Sequence, residues 1–315
     1  MLRSELMLDK IVMKGKLDFE KEAPAIIRKY HLTECAKGEI IYYQSGHLAN
    51  IEGIFITLCG SSITVKCSIH KLWSKWEGDG LDNSKPCRFS QARETLRRLL
   101  DDLGIDTGQV RVSYYEIGVN MDMSHDPLDY IREVQAVGTE KEFFNDANFE
   151  KFRQKTTEKS RNYKKVQKVY DKTFEAMEKH RTAGPNVLRV ETIYKRQGAH
   201  VEEFFDTAWT DKILTRFFRD WSALLFNREV VAAQKGVKSS QLQKAREILA
   251  LGGVEYLETI KRRLHSGAIT QKTYRGCREF ARDWDKYKCL FSEIKGPLEC
   301  EYQNKLLNAF TYARN

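Results

Sequence analysis

Apolar and polar residues alternate along much of the first two-thirds of the chain, and a spacing of three to four replaces that alternation beyond about residue 201. Alternation in segments rich in β-branched and aromatic residues, bounded by Gly, Asn and Ser, predicts strands at 11–19, 39–45, 52–60, 62–73, 109–121, 164–175 and 186–196. Gly60 and Ser61 predict a tight hairpin between the third and fourth of these. Ser90 reads as the N-cap of a helix whose apolar stripe is Ala92, Leu96, Leu99, Leu100 and Leu103. Asp126 and Pro127 open a short helix through about Val137, and residues 138–162 read as polar and irregular. The expected class is α+β: a central antiparallel sheet with one catalytic face and helices on the other, then a mostly helical C-terminal region. The boundary is placed near 198–202, giving domains 1–200 and 201–315.

Sorting strand residues by parity separates two faces. Val65, Cys67 and Ile69 oppose Lys66, Ser68 and His70. Tyr115, Ile117 and Val119 oppose Tyr114, Glu116, Gly118 and Asn120, while Leu188, Val190 and Thr192 oppose Arg189, Glu191 and Ile193. In QKVYDKT, Val169 opposes Lys168, Tyr170 and Lys172. An antiparallel sheet with one wet face shows such alternation without any activity. A merely solvated face favours Lys, Thr and Arg throughout, whereas this one collects His70, Glu116, Asn120, Glu191 and Tyr170, with Gly118 leaving room for a close approach.

Those types suit phosphodiester chemistry. Glu116, Glu191, His70 and Asn120 are candidate ligands for Mg or Mn, since carboxylates suit both ions and imidazole admits Mn. Tyr170 is a candidate nucleophile, with Lys168 and Lys172 expected to stabilise charge and lower its pKa. The formal charge of +9 points to a polyanionic partner. Basic residues crowd the segment 151–172, so Arg161, Tyr163, Lys164 and Lys165, with Arg189 and Lys195 on the last strand, are candidate DNA contacts.

The seven cysteines form no C-x-x-C pair, and hydrophobic content of 41% with 31% charged residues predicts a folded, soluble chain. The first residues lack a signal peptide's apolar run, which with the cysteine usage leads to an expected cytoplasmic location and no membrane partner. Repeated short amphipathic helices after residue 238 are compatible with a helix-turn-helix origin reader, although stripes such as Leu242, Ile248 and Leu249 read as core.

The series GSSITVKCSIHKLW, YYEIGVNM, KKVQKVYDKT and NVLRVETIYKR, in this order and spacing, resembles the rolling-circle replication initiators of the phage gene II/X type, and more distantly the plasmid initiators of the Rep_trans group. The similarity spans about residues 50–200. It implies an enzyme that nicks DNA at an origin, stays joined to the 5′-phosphate through a tyrosine, leaves a 3′-OH for polymerase and later rejoins the strand. By matched position Tyr170 corresponds to the nucleophile, Glu116 and Glu191 to acidic positions, and His70 to the histidine of S-L-H-K. The resemblance further implies single-stranded DNA and a double-stranded origin as partners, together with host helicase and polymerase in a bacterial cytoplasm. The chain has no His-hydrophobe-His pair, so a set of His plus carboxylates would replace the usual clamp. A non-catalytic sequence-specific replication regulator is the alternative function, and a basic structural or RNA-binding module is a third.

Overall fold

In the computed structural model the described residues are 6–47, 49–83, 87–137, 142–143, 148–157, 164–181 and 183–314. Alternation builds one large sheet from β1 (Leu6–Lys16), β2 (Leu32–Lys37), β3 (Ile40–Ser45), β4 (Ile54–Cys59), β5 (Ser62–Ser68), β6 (Arg111–Asp122), β7 (Gln154–Thr156), β8 (Lys165–Asp171) and β9 (Val187–His200). The spatial order is β2-β3-β4-β5-β1-β6-β9-β8-β7. Every neighbouring pair is antiparallel. The fold is therefore α+β, as the patterning implied. The β4–β5 hairpin turns at Gly60 and Ser61, with Gly60 at φ 53°, a conformation glycine adopts without a Cβ penalty.

Two expected strands end early, and both ends shape the site. The 62–73 segment stops at Ser68, whose hydroxyl accepts from the Lys71 N–H and caps helix α1 (Ile69–Trp76). Ile69, Leu72, Trp73 and Trp76 then fall at helical spacing and pack on the core, so a period of 3.6 overrides the two-residue reading. The 164–175 segment stops at Asp171, whose carboxylate accepts from the Phe174 N–H at 2.8 Å and opens a second helix. Helix α2 (Phe89–Leu103) carries its stripe as expected but starts before Ser90; the Gln91 side chain accepts from the Arg88 N–H instead. The second cap helix is α3 (Lys172–Glu178). The helix at 127 ends at Glu133, after which Val134–Val137 is a short strand.

Helix α2, α4 (Thr207–Ser222) and α5 (Pro297–Arg314) cover the apolar face of the sheet. Leu96, Leu99, Phe217, Trp221, Tyr302 and Leu306 share one core with Leu8, Ile11, Ile117, Val119 and Val190. The Trp221 indole donates to the Thr192 hydroxyl at 2.9 Å and fastens α4 to β9. A second, smaller core gathers Ala245, Ile248, Tyr256, Ile260, Cys277, Phe280 and Phe291. The division between cores thus does not coincide with the boundary expected near 198–202, because α4 and the distant α5 complete the sheet's own core. Short strands at Glu229–Ala233 and Phe291–Ile294 interrupt the region expected to be helical. No helix among the described residues is long and apolar enough to cross a membrane.

Candidate active site

Sheet register puts the chemistry in adjacent rows. Tyr170 on β8 lies beside Arg189 on β9, which lies beside Asn120 on β6; in the next row Lys168, Glu191 and Gly118 are aligned. The centre of the polar face is shielded from open water, while Lys168, Tyr170 and Asn120 around it are half-buried. Arg189 is fully buried and Glu191 is 5% exposed, whereas a solvated face would leave both open.

A fourth strand supplies a carboxylate that period-two counting missed. Between Leu8 and Ile11 the β1–β6 register shifts, and both residues are buried in the core although they are three apart. The bulge gives Asp9 and Lys10 to the opposite face together. Asp9 accepts from Arg189 Nη2 at 2.8 Å and Asn83 Nδ2 at 3.3 Å, and from the Ser68 hydroxyl.

Arg189 is the hub. Its Nε donates to Glu191 Oε2 at 3.2 Å and its Nη1 to Asn120 Oδ1 at 3.3 Å. Gly118 makes this possible: a Cβ there would sit 2.9 Å from Arg189 Nη2. The close approach that Gly118 permits is thus to a guanidinium of the chain itself. Arg189, expected to contact DNA, is walled off from solvent and neutralises carboxylates instead.

The Tyr170 hydroxyl donates to Glu191 Oε2 at 3.1 Å. A cavity of about 760 Å³ opens over it, lined by Tyr170, Glu191, Glu116, Asp9, Lys168 and Lys172, with further basic side chains on its walls. Lys172, the first residue of α3 and not a strand residue, donates to Glu175 at 2.6 Å and to Asn83 at 3.3 Å. A continuous polar path therefore runs from Tyr170 through Glu191, Arg189, Asp9 and Asn83 to Lys172.

Burial dominates the electrostatics. It pushes the Tyr170 phenol well above its ordinary value, with Arg189 pulling down and Glu191 pushing up. The lowering expected from the flanking lysines is not found: the phenol is raised by burial first, the cation that opposes this is Arg189, and Lys172 pairs with Glu175. Burial, then the charges of Glu191 and Asp9, push Glu116 up to about 7, and the Tyr114 hydroxyl donates to it in partial opposition. Burial also acts to raise Asp9, but Arg189 foremost, then His70 and Ser68, hold its carboxyl well below the usual range. Lys172 and Lys71 are both lowered, by burial first and by neighbouring cations second.

No protein-family model and no curated protein sequence matches the chain. Among solved structures the chain is similar to a rolling circle replication initiator protein from Geobacillus stearothermophilus, at 10% identity and a TM-score of 0.40, over 76% of this chain and 91% of that one.

The structure brings together five of the seven residues expected at the catalytic and metal positions: Tyr170, Lys168, Lys172, Glu116 and Glu191 all line the cavity. The expected metal set does not converge. His70 lies on α1, fully buried, because the helix begins one residue before it. Asn120 and one Glu191 oxygen are engaged by Arg189, and among the described residues no group of three or more His, Cys, Asp or Glu is placed to hold an ion. The donor set thus does not fit Mg or Mn in this arrangement.

The expected DNA contacts divide likewise. Lys165 has the opposite parity to Tyr170, and its ammonium pairs with the buried Asp220 of α4 at 3.5 Å, on the core side. Lys164 is exposed, and Lys195 is half-buried beside Tyr114 in register. Arg161 and Tyr163 lie outside the described residues. Elsewhere in the basic segment, Arg153 pairs with Asp171 at 2.7 Å and Lys155 donates to the Val134 carbonyl at 2.8 Å, so part of that charge is structural. Asp9 and Arg189 carry the centre of the site; a bulge hid the first, and the second was visible only as one more basic residue on a polar face.

Proposed function

We propose that the protein is a DNA nicking and joining enzyme that initiates rolling-circle replication, with Tyr170 as nucleophile. One observation carries the reading: a phenol at the base of a cation-walled cavity, its proton directed at a buried carboxylate. A raised phenol is a strong nucleophile only once its proton is removed, and Glu191 is in hydrogen-bonding position to take it.

In the forward step the Tyr170 oxygen bonds to phosphorus and the P–O3′ bond breaks, leaving a tyrosine 5′-phosphodiester and a free 3′-OH. The phenolic proton passes to Glu191, and the departing 3′-oxygen takes a proton from the Glu116 carboxyl on the same face. Joining reverses each transfer. Lys168 and Lys172 offset charge on the phosphoryl oxygens. Single-stranded DNA or a double-stranded origin is the substrate, the freed 3′-OH serves a polymerase, and a helicase separates the strands. The resemblance in sequence also implies Mg or Mn, but the donors do not fit either ion as arranged and no step is assigned to one.

The test is incubation with single-stranded origin DNA, with and without Mg or Mn, followed by a denaturing gel. A covalent protein–DNA adduct is expected, and it disappears in Tyr170→Phe. An adduct that persists in that variant removes Tyr170 as nucleophile; DNA binding with no adduct in any condition returns the non-catalytic regulator.

A further inference from the structure

One wall of the cavity collects more positive charge than its own carboxylates neutralise. Lys71 comes from α1, Lys172 from the start of α3, and Lys179 and Arg181 from just beyond its end, yet all line the same space. The charges of Arg181, Lys172 and Lys179 all act on the half-buried Lys71 ammonium. Glu175 is shared between Lys172 and Lys179, and Glu178 lies on the same wall. Asp9 also attracts Lys71, but its oxygens are already taken by Arg189, Ser68 and Asn83. Among the described residues the ammonium of Lys71 and the guanidinium of Arg181 form no ion pair.

Crowding like charges beyond their counter-ions is unfavourable, and a bound anion would supply the balance. Of these four cations only Lys172, the last residue of the basic segment 151–172, belongs to that segment, and none belongs to β9. We infer that Lys71, Lys179 and Arg181, with Lys172 shared between the two phosphates, form a second phosphate-binding position, which holds a backbone phosphate of single-stranded DNA next to the phosphodiester that Tyr170 attacks. Three ammonium point charges and one guanidinium fork suit phosphate oxygens. The volume lies within the range of roughly 300–1,000 Å³ that encloses a ligand of nucleotide scale. The choice of DNA as the phosphate's source rests on the proposed function; the existence of the phosphate position does not.

The experiment reads binding, not cleavage, in a Tyr170→Phe background. A fluorescent single-stranded oligonucleotide is titrated at several salt concentrations against that protein and against the same protein carrying Lys71→Gln and Arg181→Gln. The paired substitution is expected to weaken binding about tenfold and to flatten the slope of log affinity against log salt by about 0.7 for each phosphate no longer neutralised. An unchanged affinity and slope in a variant with an unchanged urea transition overturns the inference. A second measurement needs no substitution: the oligonucleotide should protect Lys71 from an amine-reactive label, and absence of protection overturns the inference independently of folding. If millimolar inorganic phosphate protects Lys71 as fully as the oligonucleotide does, the site takes free phosphate and the assignment to DNA falls. Should wild-type protein give no adduct while Lys71 protection and the binding defect remain, nicking is wrong and the phosphate position stands.

Discussion

The hydroxyl of Tyr170 and the carboxylate of Glu191 meet at 3.1 Å across neighbouring strands, and the same carboxylate oxygen is held by Arg189. Glu191 is therefore fixed in orientation as well as in place. Its replacement by Gln keeps the shape and removes the base. Adduct formation in Glu191→Gln is expected to slow by about 10² to 10⁴-fold, with oligonucleotide affinity unchanged. Single-turnover gels measure the first and fluorescence titration the second; wild-type adduct rates in the variant would remove Glu191 as base.

Glu116 gives a pH dependence whose sign is fixed. Its carboxyl is raised in the folded chain from 4.5 to about 7, so the folded state binds the proton more tightly than the unfolded one. The stability it contributes is fully present below about 4.5 and is lost as pH rises through about 7. Gln at this position mimics the protonated form at every pH. The urea midpoint of wild-type protein is expected to fall between pH 5 and pH 8 relative to that of Glu116→Gln; parallel midpoints would contradict the raised carboxyl.

Arg189 and Gly118 form a matched pair. Arg189→Met strands Asp9 and Glu191 without their cation and is expected to cost about 3 to 5 kcal/mol. Gly118→Ala drives a methyl against the guanidinium and is expected to cost about 1 to 3 kcal/mol. Urea unfolding checks both. If Arg189 instead faced DNA, Arg189→Met would leave stability unchanged and weaken binding.

Lys165 and Lys168 are three residues apart on one strand but on opposite faces. Lys168→Ala is expected to weaken single-stranded DNA binding and lower its salt slope by about 0.7. Lys165→Ala is expected to leave that slope unchanged while loosening α4, because its partner is Asp220. Equal effects on the slope from the two variants would place Lys165 on the DNA face.

Much of this protein was legible in its residue pattern. Alternation is a local property of a pleated strand, so the antiparallel sheet, the Gly60 hairpin and the shared face of Tyr170, Glu116 and Glu191 followed from counting. Counting failed where the period changed. Ser68 and Asp171 each end a strand by capping a helix, and this moved His70 into the interior and Lys172 onto a helix start. The bulge at Asp9 and Lys10 broke parity inside a strand, and so hid the carboxylate that anchors Arg189.

Backbone periodicity alone marked most strands of the sheet, though not β2 (Leu32–Lys37) or β7 (Gln154–Thr156), along with the polar residue types available for chemistry. Tertiary structure decided what those residues do with one another. Whether a buried arginine meets DNA or three of its own neighbours depends on strand order, on register and on the missing Cβ of Gly118. Whether Tyr170 becomes easier or harder to ionise depends on the balance between desolvation and charges brought from distant segments. Both are sums over neighbours that only the folded chain assembles.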